Sequence, residues 1–185
     1  MQELSLNVLD IAQNSIRAGA ALIAITAEER RADAFLEITV SDNGCGMTEE
    51  QVKRVMDPFF TTRTTRKVGL GVPFFKMSAE ATGGDFSIVS RPGEGTAVSA
   101  CYHTDHIDML PLGDMNATIL SLITMNPDLD FVYTRSLDGK SYVLDTRELK
   151  KVLEDVPLNA PDVVLYLKEA LEEGTAALYG TPDTN

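Results

Sequence analysis

The stretch Asp42-Asn43-Gly44-Cys45-Gly46 follows directly on the apolar, β-branched run "AFLEITV". That run reads as a strand ending on Val40. A plain turn needs one or two residues of this kind. Here a carboxylate stands at the strand end, and two glycines follow it, spaced by one residue. A strand-end carboxylate accepts a hydrogen bond from an exocyclic amine such as that of adenine. Glycines let backbone approach a flat ring without Cβ contacts. An ordinary Asp-Asn-Gly turn has the same composition, so this stretch alone does not decide.

Asp10 and Asn14 lie four apart in "LNVLDIAQNSIRA", which places both on one helix face, with Asn7 and Arg17 extending the polar stripe. A carboxylate beside an amide oxygen suits a hard cation such as Mg²⁺, which takes oxygen ligands and keeps several waters. A solvated helix face has the same pattern. Gly69-Leu70-Gly71 opens another helix, with Arg63, Arg66 and Lys67 just upstream. Unpaired N–H groups at a helix start attract anions, and glycine lets a phosphate come close. The upstream cations have the composition of a lid over phosphates. Gly95-Thr96 starts the last strand of a hairpin, where the Thr hydroxyl can reach a ring edge or an ordered water.

These residues need a scaffold. Residues 2–18 read as a helix stopped by Gly19, followed by a hairpin of the runs "ALIAITAEE" and "AFLEITVSD" turning at "RAD". Thr48-Glu49-Glu50-Gln51 has the capping-box form and opens a short helix. Residues 71–82 read as a helix stopped at Gly83-Gly84, and "DFSIVSRPGEGTAVSACY" as a second hairpin. The fold class is α+β, a two-layer α/β sandwich with mostly antiparallel strands. After Tyr102 come a connector, a helix "MNATILSLITMN", a hairpin turning at Asp138-Gly139 and two helices. Asp162 or Thr146 is expected to cap those helices, and Gly174 to close the last one. The stripes Val152, Val156 and Val163, Leu167, Leu171 read as core. The chain divides into residues 1–102 and a small acidic α/β domain or extension at 103–185.

The 185 residues carry a net charge of −12, which argues against a nucleic-acid partner. The excess is uneven: residues 1–102 hold 10 basic and 13 acidic side chains, residues 103–185 hold 6 and 15. No apolar run is long enough to span a bilayer, and "MQELSLNVLD" has no signal-peptide core, so no membrane contact and a cytoplasmic location are expected. Cys45 and Cys101 lack motif spacing and read as reduced thiols.

In this order and spacing, the four stretches resemble one family. It is the ATP-binding domain shared by sensor histidine kinases, anti-sigma-factor serine kinases, DNA gyrase, mismatch-repair ATPases and the large heat-shock chaperones. "DIAQNSIRAGA" is similar to its Asn-containing box, and "NSIRAGAALIAITAE" is particularly similar to mismatch-repair ATPases. "DNGCGM" resembles the first glycine box and "DPFFTTR" the phenylalanine box of histidine kinases. "GLGVPFFKMSAEATGGDFSIVSRPGEGTAV" resembles the second glycine box and the hairpin behind it. The likeness covers about residues 3–102. It implies that ATP and Mg²⁺ are bound, with Asn14 on the metal and Asp42 on the adenine amine. Gly44 and Gly46 would line the base pocket. Gly69, Leu70 and Gly71 would meet the phosphates with Lys67 nearby, and Thr96 would support the adenine contact.

The chain departs from that pattern in three places. Asp10 stands where hydrolysing relatives usually carry Glu as the base that positions water. It keeps the carboxylate on a shorter arm and is the candidate catalytic residue. The second glycine box is thin, with Val68 before Gly69. Histidine kinases carry a helical segment with the phosphoacceptor histidine ahead of the first helix, where this sequence has Met1 and Gln2. His103 and His106 lie past the last hairpin strand and read as part of a solvated connector. The expectation is therefore a protein kinase that phosphorylates a separate partner protein. The alternatives are a nucleotide-gated, anti-sigma-like binding module with slow or no turnover, and a hydrolysing ATPase. A homodimer is compatible with each.

Overall fold

A computed structural model describes residues 3–57 and 70–180. Lys67 and Gly69, with the expected lid cations Arg63 and Arg66, lie outside the described residues. The elements run α1 (Leu4–Arg17), β1 (Leu22–Arg30), β2 (Phe35–Asp42), α2 (Glu49–Met56), α3 (Gly71–Ala81), β3 (Phe86–Arg91) and β4 (Gly95–His103). They continue with α4 (Met115–Met125), β5 (Asp130–Leu137), β6 (Lys140–Asp145), α5 (Thr146–Leu153) and α6 (Pro161–Tyr179).

One six-stranded sheet has the order β3-β4-β2-β1-β5-β6. All pairs are antiparallel except β1–β5, which is parallel with Leu22 opposite Asp130. Residues 103–185 thus add two strands to the sheet begun by residues 1–102. Alternate strand residues are buried: Ile23, Ile25 and Ala27 on β1, Leu36, Ile38 and Val40 on β2, Phe131 and Tyr133 on β5. Their neighbours, such as Thr26, Thr39 and Thr134, are only partly covered. The helices pack on the buried face through Leu4, Val8 and Ile11 of α1, Phe75 of α3, Ile119 and Leu122 of α4, and Leu167 and Leu171 of α6. Each such apolar side chain contributes about 1.5–3 kcal/mol by leaving water. Arg135 of β5 is the exception on that face. Its guanidinium donates to Ala27 O at 3.2 Å, Glu29 Oε2 at 2.5 Å and the Tyr179 hydroxyl at 3.2 Å, tying β5 to β1 and α6.

The local signals are realised unevenly. The capping box forms both ways: Thr48 Oγ1 accepts from Gln51 N, and Gln51 Oε1 accepts from Thr48 N. Asp138 and Gly139 take positive φ values of 48° and 84°, as a two-residue hairpin turn requires. The cap of α5 is Asp145, whose carboxylate accepts from Arg147 N, rather than Thr146, which is buried and donates to Phe131 O. At the start of α6 the cap position is Ala160, with Pro161 opening the helix, rather than Asp162. Gly174 does not end α6, which runs on to Tyr179. A Cβ at Gly174 would stand 2.3 Å from the Tyr142 ring, so the missing side chain makes room for an aromatic. Val163, Leu167 and Leu171 are core, but Val152 and Val156 are 80% and 47% exposed.

Candidate functional site

Asp42 ends β2 with both carboxylate oxygens engaged. Ser15 Oγ donates to Oδ2 at 2.6 Å, and the Gly44 N–H donates to Oδ1 at 2.8 Å. Two donors on one carboxylate fix its orientation. Asn43 turns the other way. Its Oδ1 accepts from Ala21 N and Leu22 N, both at 2.9 Å, and so fastens the start of β1 to the end of β2.

Thr96 lies directly opposite Asp42 in the β2–β4 register. Its hydroxyl shares a 2.7 Å hydrogen bond with Ser90 Oγ, which also accepts from Met47 N at 2.8 Å and donates to Gly95 O at 3.0 Å. Ser90 therefore pins the glycine-rich turn to the β3–β4 hairpin. Asp42 and Thr96 open onto a cavity of about 240 Å³. Its walls are apolar, from Ile11, Val55, Val72, Ile88 and Val98, and its polar groups come from Asn14, Ser15, Asp42, Gln51 and Thr96. That is the composition of a site for a flat, partly polar ligand. Cys45 is exposed and also on its wall.

Of the two glycines expected to line a base pocket, Gly46 is on the cavity wall, and each also has a packing role within the chain. Gly46 lines the cavity, but its φ is +65° and a Cβ there would meet Arg91 O at 1.9 Å. Gly44 is buried behind Asp42, where a Cβ would stand 2.9 Å from Ala18. Both make room for neighbouring backbone and helix.

Asn14 stands on the cavity wall, with its Oδ1 accepting from Arg17 Nη1 at 3.1 Å. Asp10, one turn earlier, does not line the cavity. It packs against the start of α3, where a Cβ on Gly71 would lie 2.6 Å from the Asp10 Cβ. Gly71 is thus a helix-packing glycine that lets α3 press on α1. Leu70 precedes it, and among the described residues no side chain caps the start of α3. Among the described residues, no three His, Cys, Asp or Glu side chains gather around a metal-sized space. A magnesium ion here would take protein oxygen from Asn14 and complete its shell with ligand oxygens and water. Asn14 fits that role, since among the described residues its amide oxygen accepts only from the exposed Arg17.

Ser15 and Ser90, which bond Asp42 and Thr96, are residues of the candidate site that sequence reasoning missed. A signal for Ser15 exists: it is a hydroxyl on the apolar face of α1 beside Ile11 and Ala12, and a buried hydroxyl needs a partner. Ser15→Ala should weaken nucleotide binding about fivefold, near 1 kcal/mol, because Asp42 loses one of its two orienting donors. Titration calorimetry of the two proteins checks this.

The model of the family described as "Histidine kinase-, DNA gyrase B-, and HSP90-like ATPase" matches residues 1–106. The chain belongs to this family. Among curated relatives, the cell-division control histidine kinase PdhS of Brucella anthropi is 29% identical over 115 residues, covering 55% of this chain and 11% of PdhS. The signal transduction histidine-protein kinase AtoS of Escherichia coli K12 is 38% identical over 63 residues, 34% of this chain and 10% of AtoS. The chain thus spans about a tenth of these relatives' lengths. In fold it is similar to the Aquifex aeolicus MutL ATPase domain complexed with ADP, with a TM-score of 0.50, 13% identity and coverage of 91% of this chain and 88% of that one. It is also similar to the N-terminal domain of a DNA repair protein, with a TM-score of 0.52, 15% identity and coverage of 77% and 52%. The two-layer sandwich of this ATPase family therefore carries the cavity, and ATP is the family's ligand. No helix among the described residues is long and apolar enough to cross a membrane.

Proposed function

We propose that the chain binds Mg·ATP in the cavity under α1 and passes the γ-phosphoryl group to a side chain of a separate protein in the cytoplasm. The observation that carries the nucleotide half is the Asp42 carboxylate, held by Ser15 and Gly44 and facing an apolar slot. The adenine amine donates to Asp42, the ring lies between Ile11, Val72, Ile88 and Val98, and Thr96 holds the opposite edge. Asn14 supplies the protein oxygen for magnesium, which lowers the charge on the phosphates. The uncapped start of α3 at Leu70-Gly71, with Lys67 and Gly69 before it, takes the phosphate end. Asp10 stands at that end and orients the attacking hydroxyl.

The transfer half is supported by the kinase relatives and by the departure at Asp10, whose short arm suits orienting a hydroxyl better than driving fast hydrolysis. Positioning and charge neutralisation supply most of the rate in such chemistry.

The experiment is incubation with γ-labelled ATP and Mg²⁺, alone and with extract of the source cell. Label on a second protein is the expected result. Phosphate release without label overturns the kinase reading in favour of an ATPase, and tight binding with neither makes the chain a nucleotide-gated switch. Absence of any calorimetric response to millimolar Mg·ATP overturns the nucleotide site itself. Asn14→Ala should lose about tenfold in ATP affinity with Mg²⁺ present and little with the metal chelated. Paired titrations with and without chelator test it.

A further inference from the structure

We propose that a second pocket, one helical turn before Asp10, holds one residue of an extended segment of the protein that receives the phosphoryl group. The proposal rests on the kinase reading above. The pocket has a volume of about 280 Å³ and lies between α1, α3 and the connector, walled by Asn7, Phe74, Met77, Ser78, Asp108 and Leu110. Among the described residues it shares none with the nucleotide cavity.

Asn7 is the residue that points to a ligand. It is 1% exposed, and among the described residues neither its Oδ1 nor its Nδ2 has a hydrogen-bond partner. The Ser78 hydroxyl in the same wall is committed elsewhere, donating to Phe75 O at 3.0 Å and sharing a 3.1 Å hydrogen bond with the Tyr102 hydroxyl. A buried amide with donor and acceptor both unpaired is a cost to folding, and a ligand that pairs both removes it.

The chemistry of that ligand follows from the wall. A carboxamide offers one donor and one acceptor side by side, the complement of a peptide group. Phe74 and Met77, 38% and 53% exposed, give the rim an apolar surface for a side chain. The volume falls below the roughly 300–1,000 Å³ of small-molecule sites and suits a single amino-acid residue. An N–H and a C=O free to meet Asn7 do not come from inside a helix, where both are bonded within the chain. They come from an extended stretch. Residues 103–114 hold three aspartates and no Lys or Arg, and Asp108 stands in the wall. A basic neighbour in the bound segment is therefore favoured, and a second copy of this chain, at −12, is not.

Position ties the pocket to the transfer. Along the α1–α3 seam, Asn14 and Val72 face the nucleotide cavity, Asp10 meets Gly71, and Asn7 shares the second pocket with Phe74 and Met77. Helix residues three apart have Cβ atoms about 5–6 Å apart. Alternate residues of an extended chain lie about 6.6 Å apart and face the same way. The residue held at Asn7 is thus two positions from the hydroxyl that Asp10 orients.

The test uses the full chain carrying carbon-13 in its methionine methyl groups. Met77 reports on this pocket and Met47 on the nucleotide cavity. N-acetyl-leucine N-methylamide at millimolar concentration should shift the Met77 methyl signal and the Asn7 side-chain amide, and leave Met47 in place. 3-Methylbutanol, which has the apolar group and no peptide group, should bind at least fivefold more weakly. Asn7→Leu keeps the branched shape without the amide. It should raise the melting temperature by about 3 °C or more, abolish the preference between the two probes, and lower label transfer to the second protein at least tenfold, with ATP affinity unchanged. If Asn7→Leu fails to fold, Phe74→Ala carries the test, with a tenfold loss of probe affinity and of label transfer. No Met77 shift, equal affinity for the two probes, or label transfer indifferent to both substitutions overturns the proposal. A lower melting temperature for Asn7→Leu with the probe preference kept assigns the amide to the fold alone and does so too, as does a Met77 signal that moves with protein concentration alone, which marks a second copy as the occupant. Failure of the nucleotide site shows separately, as a Met47 signal indifferent to Mg·ATP, and failure of the kinase reading as the absence of label on any second protein.

Discussion

Asp42→Ala lowers Mg·ATP affinity about a hundredfold, near 2.8 kcal/mol, in titration calorimetry. Two losses add. In the proposed site the adenine amine would lose a charge-assisted acceptor, a bond worth about twice a neutral one. Ser15 Oγ and the Gly44 N–H, which now both donate to Asp42, are left without their acceptor, and a ligand that covers them makes that vacancy costly. Asp42→Asn should lie between the variant and the parent protein. It keeps one acceptor oxygen, but its amine end faces the adenine amine or one of the two existing donors. Thermal melting without nucleotide separates this loss from unfolding: Asp42→Ala should shift the apo melting point far less than it shifts the nucleotide-induced rise.

Gly46→Ala should destabilise the protein by about 3 kcal/mol or more. Two effects combine. A non-glycine residue at φ +65° costs about 1–2 kcal/mol. The added Cβ would also sit 1.9 Å from Arg91 O and 2.6 Å from its carbonyl carbon, both backbone atoms of the β3–β4 hairpin that cannot swing aside. For a chain of this size the melting temperature should fall by roughly 6–12 °C. Gly19→Ala is the matched control. Its φ is +71° with no atom within 4 Å of the added Cβ, so it meets only the conformational cost. Equal losses at the two positions would remove the packing explanation of the first glycine box.

Elements whose signals are local were legible in the sequence. The capping box at Thr48, the turn at Asp138-Gly139 and the β3–β4 hairpin are each written in four to twenty adjacent residues. The four site stretches were legible as types in an order. What they do was less so, because a glycine's reason lies in whatever sits opposite it. Gly44, Gly46 and Gly71 were read for their approach to a ligand, and the sequence does not show that an added Cβ at each would also meet Ala18, Arg91 or Asp10. Gly174 was read as a stop because glycine commonly ends helices, and the Tyr142 ring that explains it lies 32 positions upstream, on β6. Val152 and Val156 have the spacing of core residues, and spacing does not say whether anything covers them. The Ser15–Asp42 bond spans 27 residues, and no short-range pattern records it.

The parallel pairing of β1 with β5 sets a timetable for the nascent chain. Leu22 emerges from the ribosome early, but its register partner Asp130 is more than a hundred residues behind it. Until then β1 has only β2 beside it, and the Ala21 carbonyl waits for the Asp130 N–H. The nucleotide-binding half thus leaves the exit tunnel with one side of its central strand bare. It stays vulnerable to sticking until the acidic last third arrives to cover it, and that long-range closure should be the slow step of folding.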